Sequence, residues 1–267
     1  MELKVKKVYN YIMNKMDYKL IFFDLDDTLL RKDKSVSDKT LEVLRLLQKN
    51  GHKIIIDTAR NEYMTSKVFD IIKPDYAIIN AGALIIDRDK KVIRRLVIEK
   101  EICRELISKL REHTNIISIQ TDDILYEVDY KERPKREKLN LDGFLGMDAQ
   151  KILVGELEPK VGKELAKEYN LDFENYFGST WFRFCHIDAT KMKAMLYITD
   201  IEKKELKDTI AFGDDYGDIG MIEASGVGVA MENGQDDVKR IASVVCDDCD
   251  NDGVARFLDK YFNLGIY

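Results

Sequence analysis

Three stretches of this 267-residue sequence place carboxylates where an apolar run stops. In "LIFFDLDDTLL" (20–30), Leu20 to Phe23 lead straight into Asp24, Asp26 and Asp27, followed by Thr28. "IIIDTAR" ends in Asp57 and Thr58, and "AFGDDYGD" ends in Asp214, Asp215 and Asp218. In a parallel sheet, ligands bind just beyond the carboxyl ends of the strands. Carboxylates gathered at such an edge repel one another unless a cation sits among them. An all-oxygen set with no His or Cys beside it suits Mg²⁺, which takes one or two carboxylates and completes its shell with water and substrate phosphate.

The elements that must position these groups are legible as alternating periods. "KLIFF" (19–23), "KIIID" (53–57) and "YAIIN" (76–80) read as strands rich in aromatic and β-branched residues. Between them lie two helical stretches. One is capped by Ser37 and stops at Gly51, and the other is capped by Asn61 and ends at Ile72 before Pro74. This β-α-β-α-β opening predicts an α/β, doubly wound, mostly parallel Rossmann-like core. The style then changes. "ALIIDRDKKVIRRLVI" (83–98) reads as a hairpin, followed by a helix and several strands joined by connections short enough for antiparallel pairing. Parallel units return with "TIAFG" (209–213) and "VGVAM" (227–231). The organisation expected is a discontinuous core, 18–82 and 186–267, interrupted by an α+β domain over 83–185. Residues 1–17 form a basic amphipathic helical extension, read as packing on the core in preference to lying on a membrane.

Composition limits the partners. Hydrophobic residues make up 45% and charged residues 34%, the balance of a globular domain, and the net charge of −6 gives no support to nucleic-acid binding. No apolar run reaches the ~18 residues of a membrane span, and no secretory leader is evident. Four cysteines without an export signal fit reduced thiols in a cytoplasmic protein. The "CDDC" pair, Cys246 and Cys249, lacks the second pair that a structural zinc site wants. His52, His113 and His186 fit no triad or metal pattern. Asp27 and Asp57, taken alone, read as turn formers or caps. Arg133, Lys135 and Arg136 in "KERPKREK" read as a solvated loop.

Taken together and in order, these motifs resemble the haloacid dehalogenase-like (HAD) hydrolases, and within them the Cof-type phosphatases with an inserted α+β cap. The resemblance runs over nearly the whole chain from about Met16. It implies that Asp24 of D-x-D-x-T is the nucleophile that forms an aspartyl-phosphate. Asp26 would be the general acid/base, with its backbone carbonyl on the metal. Thr58, with Ala59 where the family usually has Gly, would hold the phosphoryl oxygens. Lys191 in "ATKMKAM" would neutralise nucleophile and phosphate, with Lys193 as the rival. Asp214 and Asp218 of G-D-x-x-x-D would complete a Mg²⁺ site with Asp24 and Asp26, one of them through water. Gly217 stands where the family commonly has Asn. The implied activity is Mg²⁺-dependent hydrolysis of a small phosphorylated metabolite such as a sugar phosphate. A phosphomutase or phosphotransferase using the same nucleophile, and a low-turnover phosphate-ester-binding regulator, are the alternatives.

Overall fold

The structure is a computed structural model that describes residues 18–122, 124–128, 131–175 and 180–267. The extension expected over 1–17 lies outside the described residues. An eight-stranded sheet forms the core. Its parallel part comprises β1 (Leu20–Phe23), β2 (Lys53–Asp57), β3 (Tyr76–Ile79), β12 (Thr209–Gly213), β13 (Val227–Met231) and β14 (Val244–Cys246). The spatial order β14-β13-β12-β1-β2-β3 puts β1 next to both β12 and β2. The carboxyl ends of these three central strands carry Asp24, Asp214 and Thr58 to one edge of the sheet.

Both faces of the sheet are covered, so the strands need no polar alternation: all four residues of β1 are buried. Ile21 and Phe23 pack on helices α1 (Asp38–Lys49), α2 (Glu62–Ile72) and α8 (Gly253–Phe262). Leu20 and Phe22 pack on the opposite layer, α5 (Lys191–Ile201), α6 (Ile219–Ala224) and α7 (Asp236–Ile241). Each phenylalanine contributes about 2 kcal/mol of apolar burial. Ser37 and Asn61 cap their helices as the sequence suggests, accepting from the Thr40 and Met64 N–H groups.

The hairpin departs from expectation. Strands β4 (Leu84–Asp87) and β5 (Val92–Arg95) continue the core sheet antiparallel to β3. The inserted domain therefore begins after this hairpin and not at residue 83. The reason is edge pairing: Ile85 and Ile86 are buried on the two faces of the core sheet, which β4 extends. Gly82, at φ +102°, makes the entry turn, and a Cβ there would lie 2.5 Å from the Thr190 carbonyl oxygen. That contact ties the turn to the residue capping α5.

The inserted domain has its own six-stranded sheet, ordered β10-β11-β9-β6-β7-β8. These strands are β6 (Ile117–Gln120), β7 (Leu125–Glu127), β8 (Arg136–Lys138), β9 (Lys151–Gly155), β10 (Leu171–Asn175) and β11 (Trp181–His186). Helices α3 (Lys100–Leu110) and α4 (Pro159–Tyr169) add buried residues to its separate apolar core. Pairing is antiparallel except between β7 and β8. Part of the charged loop is thus a strand, and Arg136 pairs with Glu127 at 2.5 Å.

Candidate active site

Asp24 leaves the end of β1 with its N–H bonded to the Phe212 carbonyl on β12 at 3.0 Å. Its side chain meets Lys191, the first residue of α5, at 2.5 Å. The same ammonium lies 2.6 Å from Asp218 Oδ1, and all three residues are buried. Asp218 Oδ2 accepts the N–H groups of Asp214 and Asp215, each at 3.1 Å, closing the turn after β12. This turn needs glycine at its start, because a Cβ on Gly213 would stand 2.4 Å from the Asp218 Cβ. Thr28 donates to Asp214 Oδ1 at 2.7 Å, which gives the last letter of D-x-D-x-T its task. Lys191, not Lys193, occupies the site. Lys193 is turned outward to Asp188 at 2.9 Å.

The charges are unusual for carboxylates. Burial raises Asp24 well above the ordinary range; Lys191 opposes the rise, and Asp218 and Asp214 add to it. Asp214 is pushed up to about 7 by burial, against the Thr28 hydrogen bond and with help from Asp218 and Asp215. For Lys191 burial works against the charge, yet Asp218, Asp24 and Asp57 outweigh it and hold the pKa well above the usual lysine value. Carboxylate oxygens of Asp24, Asp214 and Asp218 lie within 4.8 Å of one another. This hard, all-oxygen set fits Mg²⁺. Since both Asp218 oxygens already accept hydrogen bonds, Asp24 and Asp214 are better placed to ligate directly, with Asp218 in the outer position.

Asp26 is held differently from its neighbours. Arg60 grips it through two nitrogens at 2.7 and 2.5 Å, and Lys34 approaches at 2.9 Å. Burial disfavours its charge, but these hydrogen bonds prevail and lower its pKa. The N–H of Thr58 is bonded to the Ile78 carbonyl at 2.9 Å, so the residue offers its hydroxyl, which accepts from the Arg60 N–H at 3.2 Å. Asp27 takes the left-handed conformation at φ +58°, as a turn residue does. Asp57 is neither turn former nor cap. It ends β2 fully buried, with no hydrogen-bond partner for either carboxyl oxygen, and burial pushes it up to about 8.

A cavity of about 600 Å³ opens over these residues between the core and the inserted domain. Asp24, Asp26, Thr58, Ala59, Arg60, Lys191, Asp214 and Asp218 line its floor, while Glu174, Asn175 and Arg183 line it from β10 and β11. Arg183 is ion-paired with Asp172 at 3.3 Å and Glu174 at 2.5 Å. Arg60, Arg183 and Glu174 were not singled out from the sequence. Arg60 had a signal, as the residue closing "DTAR"; the other two become visible only when the hairpin of the inserted domain folds over the core.

The sequence profile of the haloacid dehalogenase-like hydrolases matches residues 21–258. The chain belongs to this family. It is 27% identical to 5-amino-6-(5-phospho-D-ribitylamino)uracil phosphatase YitU of Bacillus subtilis, over 92% of this chain and 98% of the relative. It is 26% identical to pyridoxal phosphate phosphatase YbhA of Escherichia coli, over 91% of this chain and 97% of the relative. A Bacteroides thetaiotaomicron HAD phosphatase structure shares the fold, with a TM-score of 0.81 at 22% identity, covering 94% of this chain and 96% of that one. The chain is thus an enzyme of the HAD hydrolase family, with that family's Rossmann-like core and cap. Among the described residues, no helix is long and apolar enough to cross a membrane.

Proposed function

We propose that the protein is a Mg²⁺-dependent phosphomonoester hydrolase of a small phosphorylated metabolite, acting in the cytoplasm without nucleic-acid or membrane partners. The observation that carries this reading is the buried contact of Lys191 with Asp24 and Asp218, with Asp214 beside them. It is an arrangement that gathers charge around one carboxylate and leaves that carboxylate open to the cavity. Bound at Asp24 and Asp214, the metal ion would supply positive charge to the phosphoryl oxygens and favour the ionised nucleophile.

The residues then divide the work. Lys191 neutralises Asp24 and a phosphoryl oxygen, and the Thr58 hydroxyl orients the phosphate. An Asp24 oxygen attacks phosphorus, forming the aspartyl-phosphate as the bond to the leaving oxygen breaks. Asp26 gives that oxygen a proton. A water molecule next attacks the same phosphorus and passes its proton to Asp26, which releases inorganic phosphate and restores the Asp24 carboxylate. For the first proton transfer, Asp26 must take up a proton and loosen from Arg60. Glu174, Asn175 and Arg183 offer a polar ceiling, and with the cavity volume they favour a hydroxylated or heterocyclic alcohol body. The named substrates of the two curated relatives are of this kind.

The test is a phosphate-release screen with Mg²⁺ over sugar phosphates, nucleotides, flavin mononucleotide, pyridoxal phosphate and ribitylaminouracil phosphate. Metal-dependent release from at least one is expected. Isomerised or transferred ester without free phosphate would replace hydrolysis by phosphoryl transfer to another acceptor.

A further inference from the structure

Lys151, the first residue of β9, is 6% exposed and sits where the inserted domain meets the core. Its ammonium donates to the Ala59 carbonyl at 3.0 Å, and Ala59 lines the cavity next to Thr58. Among the described residues no carboxylate comes within ion-pair distance of this ammonium. The groups facing it from β11 are Arg183, whose charge Asp172 and Glu174 answer, and the Cys185 thiol, which burial pushes up to about 12. On its own domain Asp122 is engaged by Arg95 and Gln150. On the core side, Arg60 is turned onto Asp26 and Asp57 lies in the field of Lys191.

A buried ammonium without a counter-ion is costly, and a lysine so perturbed behind the wall of a cleft is a candidate for a functional role. The lysine is also held in place. Its strand pairs on both sides, with β6 and β11, and adjacent bridges from Asn61 to Gln120 at 3.1 Å and from Asn80 to Gln150 join the two domains. We propose that Lys151 is a positioning residue of the phosphate site: it fixes the Ala59 carbonyl, and with it the Thr58–Arg60 loop, and it adds positive charge behind the bound phosphoryl group. This rests on the cavity being a phosphate-ester site.

Burial, reinforced by Arg183, draws the Lys151 pKa down to about 8. Phosphate affinity should therefore fall as pH rises through about 8, while an Arg at this position stays charged throughout. Protein stability moves oppositely, because between about 8 and the ordinary lysine value of 10.5 the unfolded chain binds more protons than the folded one.

The experiment is calorimetric titration of inorganic phosphate, with Mg²⁺ present, into the parent chain, Lys151→Met and Lys151→Arg from about pH 7 to about pH 9.5. Lys151→Met is expected to bind phosphate about tenfold more weakly at neutral pH. Lys151→Arg should bind at neutral pH as the parent does and lose the alkaline fall. A folded Lys151→Met that binds like the parent overturns the inference. So does an alkaline fall retained in Lys151→Arg, which would pass the effect to Asp57; this second comparison decides alone if the Met variant does not fold. A parent that binds no phosphate overturns the phosphate-ester reading itself, and this inference with it.

Discussion

Replacing Lys191 by Met removes the one ammonium shared by Asp24 and Asp218 at 2.5 and 2.6 Å. Met keeps most of the volume, so the cost is electrostatic. Removing one partner of a buried ion pair costs about 3–5 kcal/mol. For a chain of this size, that lowers the thermal midpoint by roughly 6–20 °C. The orphaned pair can recover part of the loss by taking up a proton, which Asp24 is already disposed to do. The deficit is therefore larger at pH 8 than at pH 5, and Mg²⁺ narrows it by replacing the missing positive charge. Lys193 provides the control: its ion pair with Asp188 is half exposed, so Lys193→Met should cost about 0–1 kcal/mol. The assay is thermal unfolding followed by circular dichroism at both pH values, in chelator and in Mg²⁺. Phosphate release should fall about 10²–10³-fold for Lys191→Met alone. If Lys191→Met melts with the parent at pH 8 in chelator, or Lys193→Met loses as much, the electrostatic argument is wrong.

Asp57 titrates at about 8 when folded against an ordinary 3.8, so its contribution to stability is fully present below about 4 and is lost as pH rises through 8. Asp57→Asn should flatten this dependence and raise stability at pH 8 by at least about 1 kcal/mol, read from urea unfolding at pH 5 and 8. An unchanged pH slope would show that the buried carboxyl is ionised in the folded protein. Gly213→Ala drives a methyl group into Asp218 and should abolish metal-dependent turnover; retained activity would mean that the turn can relax without moving the carboxylate. At Gly217 a Cβ meets nothing within 4 Å. Gly217→Asn should therefore leave the thermal midpoint within about 2 °C and lower KM for a phosphate ester. A higher KM would count against a phosphate-facing role at this position.

Much of the core was readable because its signals are local. The apolar strand followed by Asp24 needs only β propensity and strand-end logic, and Ser37 and Asn61 cap helices through their own side chains. Asp24, Asp214 and Asp218 group together from the sequence because parallel strands deliver their carboxyl ends to one edge. What was missed depends on distant partners. "LIID" at β4 has the same pattern whether it extends the core sheet or opens a second domain, and its pairing with β3 decides the matter. Asp57 looked like a turn former because nothing in "IIIDTAR" says that Lys191 will be packed nearby. Lys151 leads "KILVG" as an ordinary charged strand start, and its burial comes from a domain contact about ninety residues away in sequence, at Ala59.

The nucleophile can be caught in the act. The protein is mixed with Mg²⁺ and a hydrolysed phosphate ester, quenched in acid within a turnover, digested and weighed by mass spectrometry. A single added phosphoryl group on the peptide carrying Asp24, absent from Asp24→Asn, is the result expected. Phosphorylation of a different residue, or full Mg²⁺-dependent turnover by Asp24→Asn, would contradict it.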